Sequence, residues 1–193
     1  HGKGDGLHCG SPNMLDAMVD NHVSQGIELK IDPQRILWRR VTEIPDRNLR
    51  HVEVGLGGIG YLHRETGFDI TVASEIMAIL ALASSFSDLK NRLGQMVVAV
   101  AQAGKPVTAE QIRAVGSMAL LLKDAIHPNL AQTLEGQPVF IHTGPFANLA
   151  HGTSSVLAAK MALRLADYCV TECGGGTDLG LEKFCDLVAP GTE

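Results

Sequence analysis

Gln95-Met96-Val97-Val98-Ala99-Val100 is a β-branched, apolar run that predicts a buried strand. Ala103-Gly104-Lys105-Pro106 after it reads as a turn. Thr108, with Gln111 three residues later, forms the pattern of a capping box. The helix it would open runs to about Gly116, and a second helical stretch reaches about Lys123. Upstream, Pro12 to Asp20 spaces its apolar residues helically, which predicts a helix over about 12–25. Asp32-Pro33 reads as a short helical turn, and His51-Val52-Glu53-Val54 as a strand ending in the loop Gly55 to Gly60. Thr71 to Leu82 reads as an apolar helix, and Phe86 to Leu93 as another stopped by Gly94. Downstream come a strand at Pro138 to His142, a helix at Ser154 to Ala166 and a strand at Tyr168 to Thr171. That last strand runs into Gly174-Gly175-Gly176, after which Thr177 or Asp178 caps a short helix to about Leu187. Alternating strands and helices predict a single α/β domain with a mostly parallel sheet flanked by helices. In such a fold ligands sit at the carboxyl ends of the strands. Gly- or His-rich loops follow Val54, Ile141 and Thr171, which points to a site there.

Composition narrows the function classes. The chain has 193 residues, 45% of them hydrophobic and 19% charged, enough for a packed core in one domain or part of a larger one. No stretch reaches the ~18–20 apolar residues of a membrane span. A net charge of −5 argues against a general nucleic-acid binder. His1 to Gly10 is rich in Gly and His, unlike a signal peptide. The 4 cysteines form no C-x-x-C, so a reducing cytoplasm is the expected setting and Cys169 an expected core thiol.

The motifs carry competing readings. Gly55-Leu56-Gly57-Gly58-Ile59-Gly60 matches G-x-G-x-x-G, but the polar Tyr61 to Gly67 follows where a helix must start. A flexible loop is the preferred reading over a dinucleotide site. No G-x-x-x-x-G-K-[ST] occurs in the sequence. His142 and His151 flank Thr143-Gly144-Pro145-Phe146-Ala147-Asn148. They could move protons or orient an acyl or phosphoryl group, or tie down a tight loop, and spacing alone leaves both open. No carboxylate or third His stands at ligand spacing to that pair, so no metal site is expected. Lys123-Asp124 reads as a charged-substrate contact or a solvated helix end. Glu172, Asp178 and Glu182 beside the triple Gly read as helix caps or as contacts to a nucleotide or a substrate amine. Arg35, Arg39, Arg40, Arg47 and Arg50 cluster around Trp38 among acidic residues, as an ion-pair network or oligomer interface would.

The run Arg64-Glu65-Thr66-Gly67-Phe68-Asp69-Ile70-Thr71-Val72-Ala73-Ser74-Glu75-Ile76-Met77-Ala78 resembles the signature of formate–tetrahydrofolate ligases. Leu122-Lys123-Asp124-Ala125-Ile126, Gln132-Thr133-Leu134-Glu135-Gly136, Gly144-Pro145-Phe146-Ala147-Asn148 and Ala150-His151-Gly152 continue the resemblance, which spans about Asn13 to Asp186. It implies a P-loop NTPase-like fold, here the central part of a longer ligase. The implied reaction is ATP-dependent joining of formate to tetrahydrofolate through formyl phosphate, with Mg²⁺ and a monovalent cation (K⁺ or NH₄⁺), in a cytoplasmic homo-oligomer. It further implies that His142, Asn148 and His151 are catalytic. Lys123, Asp124, Gly144, Pro145, Phe146, Glu172, Gly174, Gly175 and Asp178 would then bind substrate or nucleotide. The sequence departs from the family pattern in several places, among them Thr143, which stands where it has Gly, Gly175, where it has Phe, and a loop after Gly57-Gly58 about a residue short. The missing phosphate loop sustains an alternative, a non-catalytic remnant or subunit that oligomerises or binds a partner.

Overall fold

The computed structural model describes residues 5–26 and 28–192, with side chains from Gly10 onwards. The reading of His1 to Gly10 as unlike a signal peptide therefore falls in part, at residues 1–4, outside the described residues. The described residues fall into two compact units. One comprises the chain up to Thr71 together with Lys90–Leu122, the other Val72–Leu89 and the chain from Lys123 on.

The first unit holds helix α1 (Asp5–Ser24) and strands β1 (Ile31–Ile36), β2 (Arg40–Thr42), β3 (Val52–Val54), β4 (Arg64–Thr66) and β5 (Phe68–Ile70). Between its two chain segments come α2 (Glu75–Leu82) and α3 (Phe86–Gln95), and it is completed by β6 (Val97–Ala101), β7 (Pro106–Thr108) and α4 (Val115–Leu121). β6 is the middle strand of an antiparallel sheet ordered β1-β6-β7. Its Val98 and Ala99 are fully buried, as the apolar run predicts. α1 buries Leu15 and Val19, each worth about 1.5–3 kcal/mol of transfer free energy. The amide of Asn13 behaves like a strand partner: its Oδ1 accepts from the Val41 N–H at 2.8 Å and its Nδ2 donates to the Val41 carbonyl at 3.2 Å. The Trp38 indole donates to the Pro12 carbonyl at 2.9 Å, so a buried ring meets no unpaired polar cost.

Charge is buried here too. Arg64 donates from Nη2 to Asp16 Oδ1 and to Asp20 Oδ1, both at 3.0 Å, and Arg40 Nη2 lies 2.7 Å from Asp16 Oδ2 and 2.8 Å from Asp20 Oδ2. The 2.7 Å pair is off the hydrogen-bond axis, because Asp16 Oδ2 makes no aligned bond. Burial and the neighbouring Asp20 charge raise the pKa of Asp16, while the two guanidiniums oppose the rise. The expected arginine network therefore forms for Arg40, but its carboxylates come from α1 and its central member is Arg64.

The second unit holds α2, β8 (Asn129–Gln132), β9 (Pro138–Ile141) and α5 (Val156–Leu165). Ser74 caps α2, its Oγ accepting from the Met77 N–H at 3.3 Å, and α2 buries Ile76, Met77, Leu80 and Ala81. Ser155 caps α5 by accepting from the Ala158 N–H at 2.9 Å. Two π-helical stretches, Thr177–Leu181 and Phe184–Val188, close the unit.

Several expectations change. The expected mostly parallel sheet is replaced by four small ones, and only β2–β5 is parallel. The reason is connection length: four residues join β6 to β7 and five join β8 to β9, whereas a parallel crossover needs a dozen or more. The Gly55–Gly60 loop lies within the connection of the β3–β4 hairpin, so no helix N-terminus follows it. Asp32-Pro33 lies in strand β1 instead of a helical turn. The capping box between Thr108 and Gln111 forms, at 2.9 and 3.4 Å, yet Arg113 at φ +59° breaks the chain out of the helix and α4 starts only at Val115. Tyr168 to Thr171 forms no strand: Tyr168 and Val170 are exposed and find no ladder partner among the described strands. Gly176, not Thr177 or Asp178, is the residue at the start of the following helical segment. Cys169 is half-buried.

Replacing Arg64 with Met should cost about 3–5 kcal/mol at pH 7, because two carboxylates lose a buried partner. The deficit should shrink toward pH 5, since protonating Asp16 removes the uncompensated charge; urea denaturation of both chains at the two pH values measures it.

Candidate functional site

The site is built at the carboxyl end of β9. His142 follows the strand directly and is buried. Its Nε2 faces the Ala125 carbonyl at 2.8 Å. A carbonyl only accepts, so Nε2 carries the proton and Nδ1 accepts from the Ser155 hydroxyl at 2.5 Å. Ser155 thus both caps α5 and fixes this imidazole. The Ser154 hydroxyl donates to the His142 carbonyl at 3.0 Å and holds the backbone as well.

The chain then turns. Thr143 has φ +48°, a left-handed conformation that a β-branched residue adopts only under strain, and its Oγ1 is buried without a hydrogen-bond partner. Phe146 to Ala150 forms a tight turn, with the Ala150 N–H donating to the Phe146 carbonyl at 2.7 Å. Behind this turn the backbone packs closely. A Cβ on Gly152, at φ +62°, would meet Ala147 Cβ at 2.4 Å, and Cβ atoms on Gly174 and Gly175 would lie 3.3 and 3.4 Å from it. The Gly174 N–H donates to the Gly152 carbonyl at 2.8 Å, which joins the two loops. A Cβ on Gly180 would in turn meet the Gly174 carbonyl at 2.2 Å, so the first π-helical stretch packs directly under the loop.

These loops enclose a cleft of about 710 Å³, within the size range of small-molecule sites. Of the residues singled out in the sequence, His142, Gly144, Pro145, Phe146, Asn148, Glu172, Gly174 and Gly175 line it together. His151 does not line it, being buried at 1% exposure with Nε2 unpartnered. Burial, and then the Lys183 charge, lower its pKa, so it is neutral at pH 7. Lys123, Asp124 and Asp178 are exposed and stand outside the cleft lining. Of the residues expected to be catalytic, His142 has both ring nitrogens engaged inside the fold, by the Ser155 hydroxyl and the Ala125 carbonyl.

Thr143, already singled out in the sequence, lines the cleft. Two further participants carry no sequence signal: Ala147 is the contact that the glycines surround, and Lys183 donates from Nζ to the Ala147 carbonyl. Lys183 lies 36 residues from that carbonyl, and no local pattern marks so distant a partner.

Among the described residues Glu172 is the only formally charged side chain of the lining, and no Lys or Arg faces the cleft. Phe140, Phe146 and Val139 supply apolar surface, and Asn148, Thr153 and Thr171 supply neutral polar groups. The arrangement suits a flat, amino-bearing ligand better than a polyphosphate, which needs cations or a helix N-terminus. Among the described residues no group of three or more His, Cys, Asp and Glu could hold a metal ion, and no helix is long and apolar enough to cross a membrane.

A family model for formate–tetrahydrofolate ligase matches residues 7–193. The chain belongs to the formate–tetrahydrofolate ligase family. The match covers both halves of the site, the turn after β9 and the triple-glycine loop, and it extends through the Arg64–Ala78 signature. Two cleft positions singled out in the sequence carry left-handed backbone: Thr143, and Gly175 at φ +85°, where a Cβ would meet Leu179 Cδ2 at 2.7 Å.

Replacing Thr143 with Gly should raise stability by about 1 kcal/mol. Relief of ~1–2 kcal/mol of left-handed strain and of a buried unpaired hydroxyl outweighs the ~0.5–1 kcal/mol entropic cost of glycine. The urea midpoint should rise with an unchanged slope. His151 has a lowered folded-state pKa, so its contribution to stability is present above pH 6.5 and is lost as the pH falls below it. A His151→Gln chain should therefore show a flatter stability profile between pH 6.5 and 5 than the parent.

Proposed function

We propose that this chain supplies the folate-binding part of a ligase that joins formate to tetrahydrofolate at the expense of ATP, giving 10-formyltetrahydrofolate. The observation that carries this reading is the cleft itself: aromatic surface, one carboxylate and no cation. A reduced pterin is a flat ring bearing an amino group and ring N–H donors. Phe146 offers it a face at 41% exposure, and Glu172 an acceptor for two N–H groups. Asn148 lies on the same wall and offers both a donor and an acceptor.

In the family's reaction formate attacks the γ-phosphorus of ATP, releasing ADP and forming formyl phosphate. N10 of tetrahydrofolate then attacks the formyl carbon, phosphate leaves and the nitrogen loses its proton. In this reading Phe146, Asn148 and Glu172 touch the folate. His142 and His151 act as positioning residues, the first holding the wall of the cleft and the second filling the core behind it. The residues of the cleft do not fit a metal ion, so magnesium would arrive with the nucleotide's phosphates. A monovalent cation finds no assigned ligands. Binding of the ATP phosphates calls for groups other than the cleft residues.

A second reading is favoured by a different observation. Leu130 and Ile141 on the β8–β9 hairpin are 65% and 59% exposed, and Val170 is 97% exposed. Apolar side chains left open on a two-stranded hairpin are a surface for another chain or a second copy. Assembly as a homo-oligomer is compatible with folate binding.

Titration of the chain with tetrahydrofolate under anaerobic conditions tests the proposal by calorimetry. Saturable one-to-one binding is expected, weakened about tenfold or more by Phe146→Ala, the loss of one stacked ring and its burial. Glu172→Gln should weaken it similarly, while Lys123→Ala should leave it unchanged. Absence of binding, or insensitivity to Phe146→Ala, would remove the reading.

A further inference from the structure

Lys183 is a cation that the folate reading leaves without a task. It follows the first π-helical stretch and directly precedes the second, Phe184–Val188. Such widened turns are rare and concentrate at functional sites. Its ammonium does not face a carboxylate: Nζ donates to the Ala147 carbonyl, half-buried, across 36 residues of chain. Ala147 is the residue that Gly152, Gly174 and Gly175 surround, and it lies between Phe146 and Asn148 on the cleft wall. No ion pair of Lys183 occurs among the described residues' salt bridges. A half-buried cation held on a single carbonyl is costly unless the carbonyl's position matters.

We propose that Lys183 is a positioning residue: its bond to the Ala147 carbonyl latches the Phe146–Asn148 turn against the triple-glycine loop and so sets the folate-contacting faces of Phe146 and Asn148. The geometry explains why the latch is a lysine. The turn's own bonds, from the Leu149 and Ala150 N–H groups, go to the Phe146 carbonyl and leave the Ala147 carbonyl to another donor. The long side chain of Lys183, from the helical segment after the triple-glycine loop, supplies it. The same ammonium lies close enough to the buried His151 ring to favour its neutral form, which gives a spectroscopic reporter of the latch.

The role of Lys183 in binding rests on the folate reading; the latch itself does not. The test uses the full chain with Lys183→Met and Lys183→Arg. Amide hydrogen exchange reports the latch: in Lys183→Met the Ala150 and Gly174 amides should exchange at least tenfold faster. The Ala109 amide, bonded to the Met96 carbonyl in the other unit, should be unchanged, which shows that the variant is folded. By NMR titration the His151 pKa should rise toward 6.5 in Lys183→Met. Lys183→Arg, which restores charge and donor, should return both readouts to the parent values. The Kd for tetrahydrofolate should rise about tenfold in Lys183→Met and recover in Lys183→Arg. Unchanged local exchange in Lys183→Met overturns the latch. Faster exchange with an unchanged Kd overturns the positioning role. A parent chain that binds no tetrahydrofolate sinks the folate reading instead, and exchange and the His151 titration then still decide the latch.

Discussion

The methyl group of Ala147 is the fixed point of the site. Gly152 and Gly174 approach it so closely that a Cβ at either would press on it, at 2.4 and 3.3 Å, and Gly175 packs beside it. That approach joins the two loops of the cleft. Gly152 brings the end of the turn back toward its start, and its carbonyl takes the Gly174 amide, which ties in the triple-glycine loop. Gly180 allows the following helical segment to sit beneath. Glycine is needed at these places for absence of bulk as much as for backbone freedom. The cost is local strain, visible in the left-handed backbone at Thr143 and in the unpaired hydroxyl it buries. Strain of this kind persists where surrounding contacts over-determine it, and it clusters at binding sites.

Polar groups behind the cleft follow the same economy. His142 is held at both nitrogens and Ser155 serves at once as helix cap and imidazole donor, so the wall after β9 is rigid. His151 is kept neutral by burial and by Lys183. No cation reaches the cleft surface. In the proposed reading this cleft takes the pterin, and the nucleotide's phosphates are held elsewhere.

Much of this was legible in the residues. The strand that buries Val98 and Ala99, the helices after Thr71 and Ser154, and the loops after Ile141 and Thr171 follow from local chemistry, and the ordered motifs carry the family. What failed did so for a physical reason. Parallel pairing was inferred from alternation alone, and the short β6–β7 and β8–β9 connections contradicted it. The capping box at Thr108 is real, but Arg113 overrides it two residues later. The roles of Lys183 and Ala147 depend on a contact between distant chain positions, and periodicity carries no trace of such a contact. Spacing left His142 open between catalyst and anchor, and its two bonds to Ser155 and Ala125 are what an anchor makes.

The central claim is that the loops around Ala147 form a folate site. Amide chemical-shift mapping by NMR tests it most directly, with tetrahydrofolate added to the isotope-labelled chain. The account predicts saturable shifts confined to residues 140–153 and 170–176, with the largest at Ala147, Asn148 and Gly174. Shifts centred on the β1-β6-β7 sheet, or none at all, would contradict it.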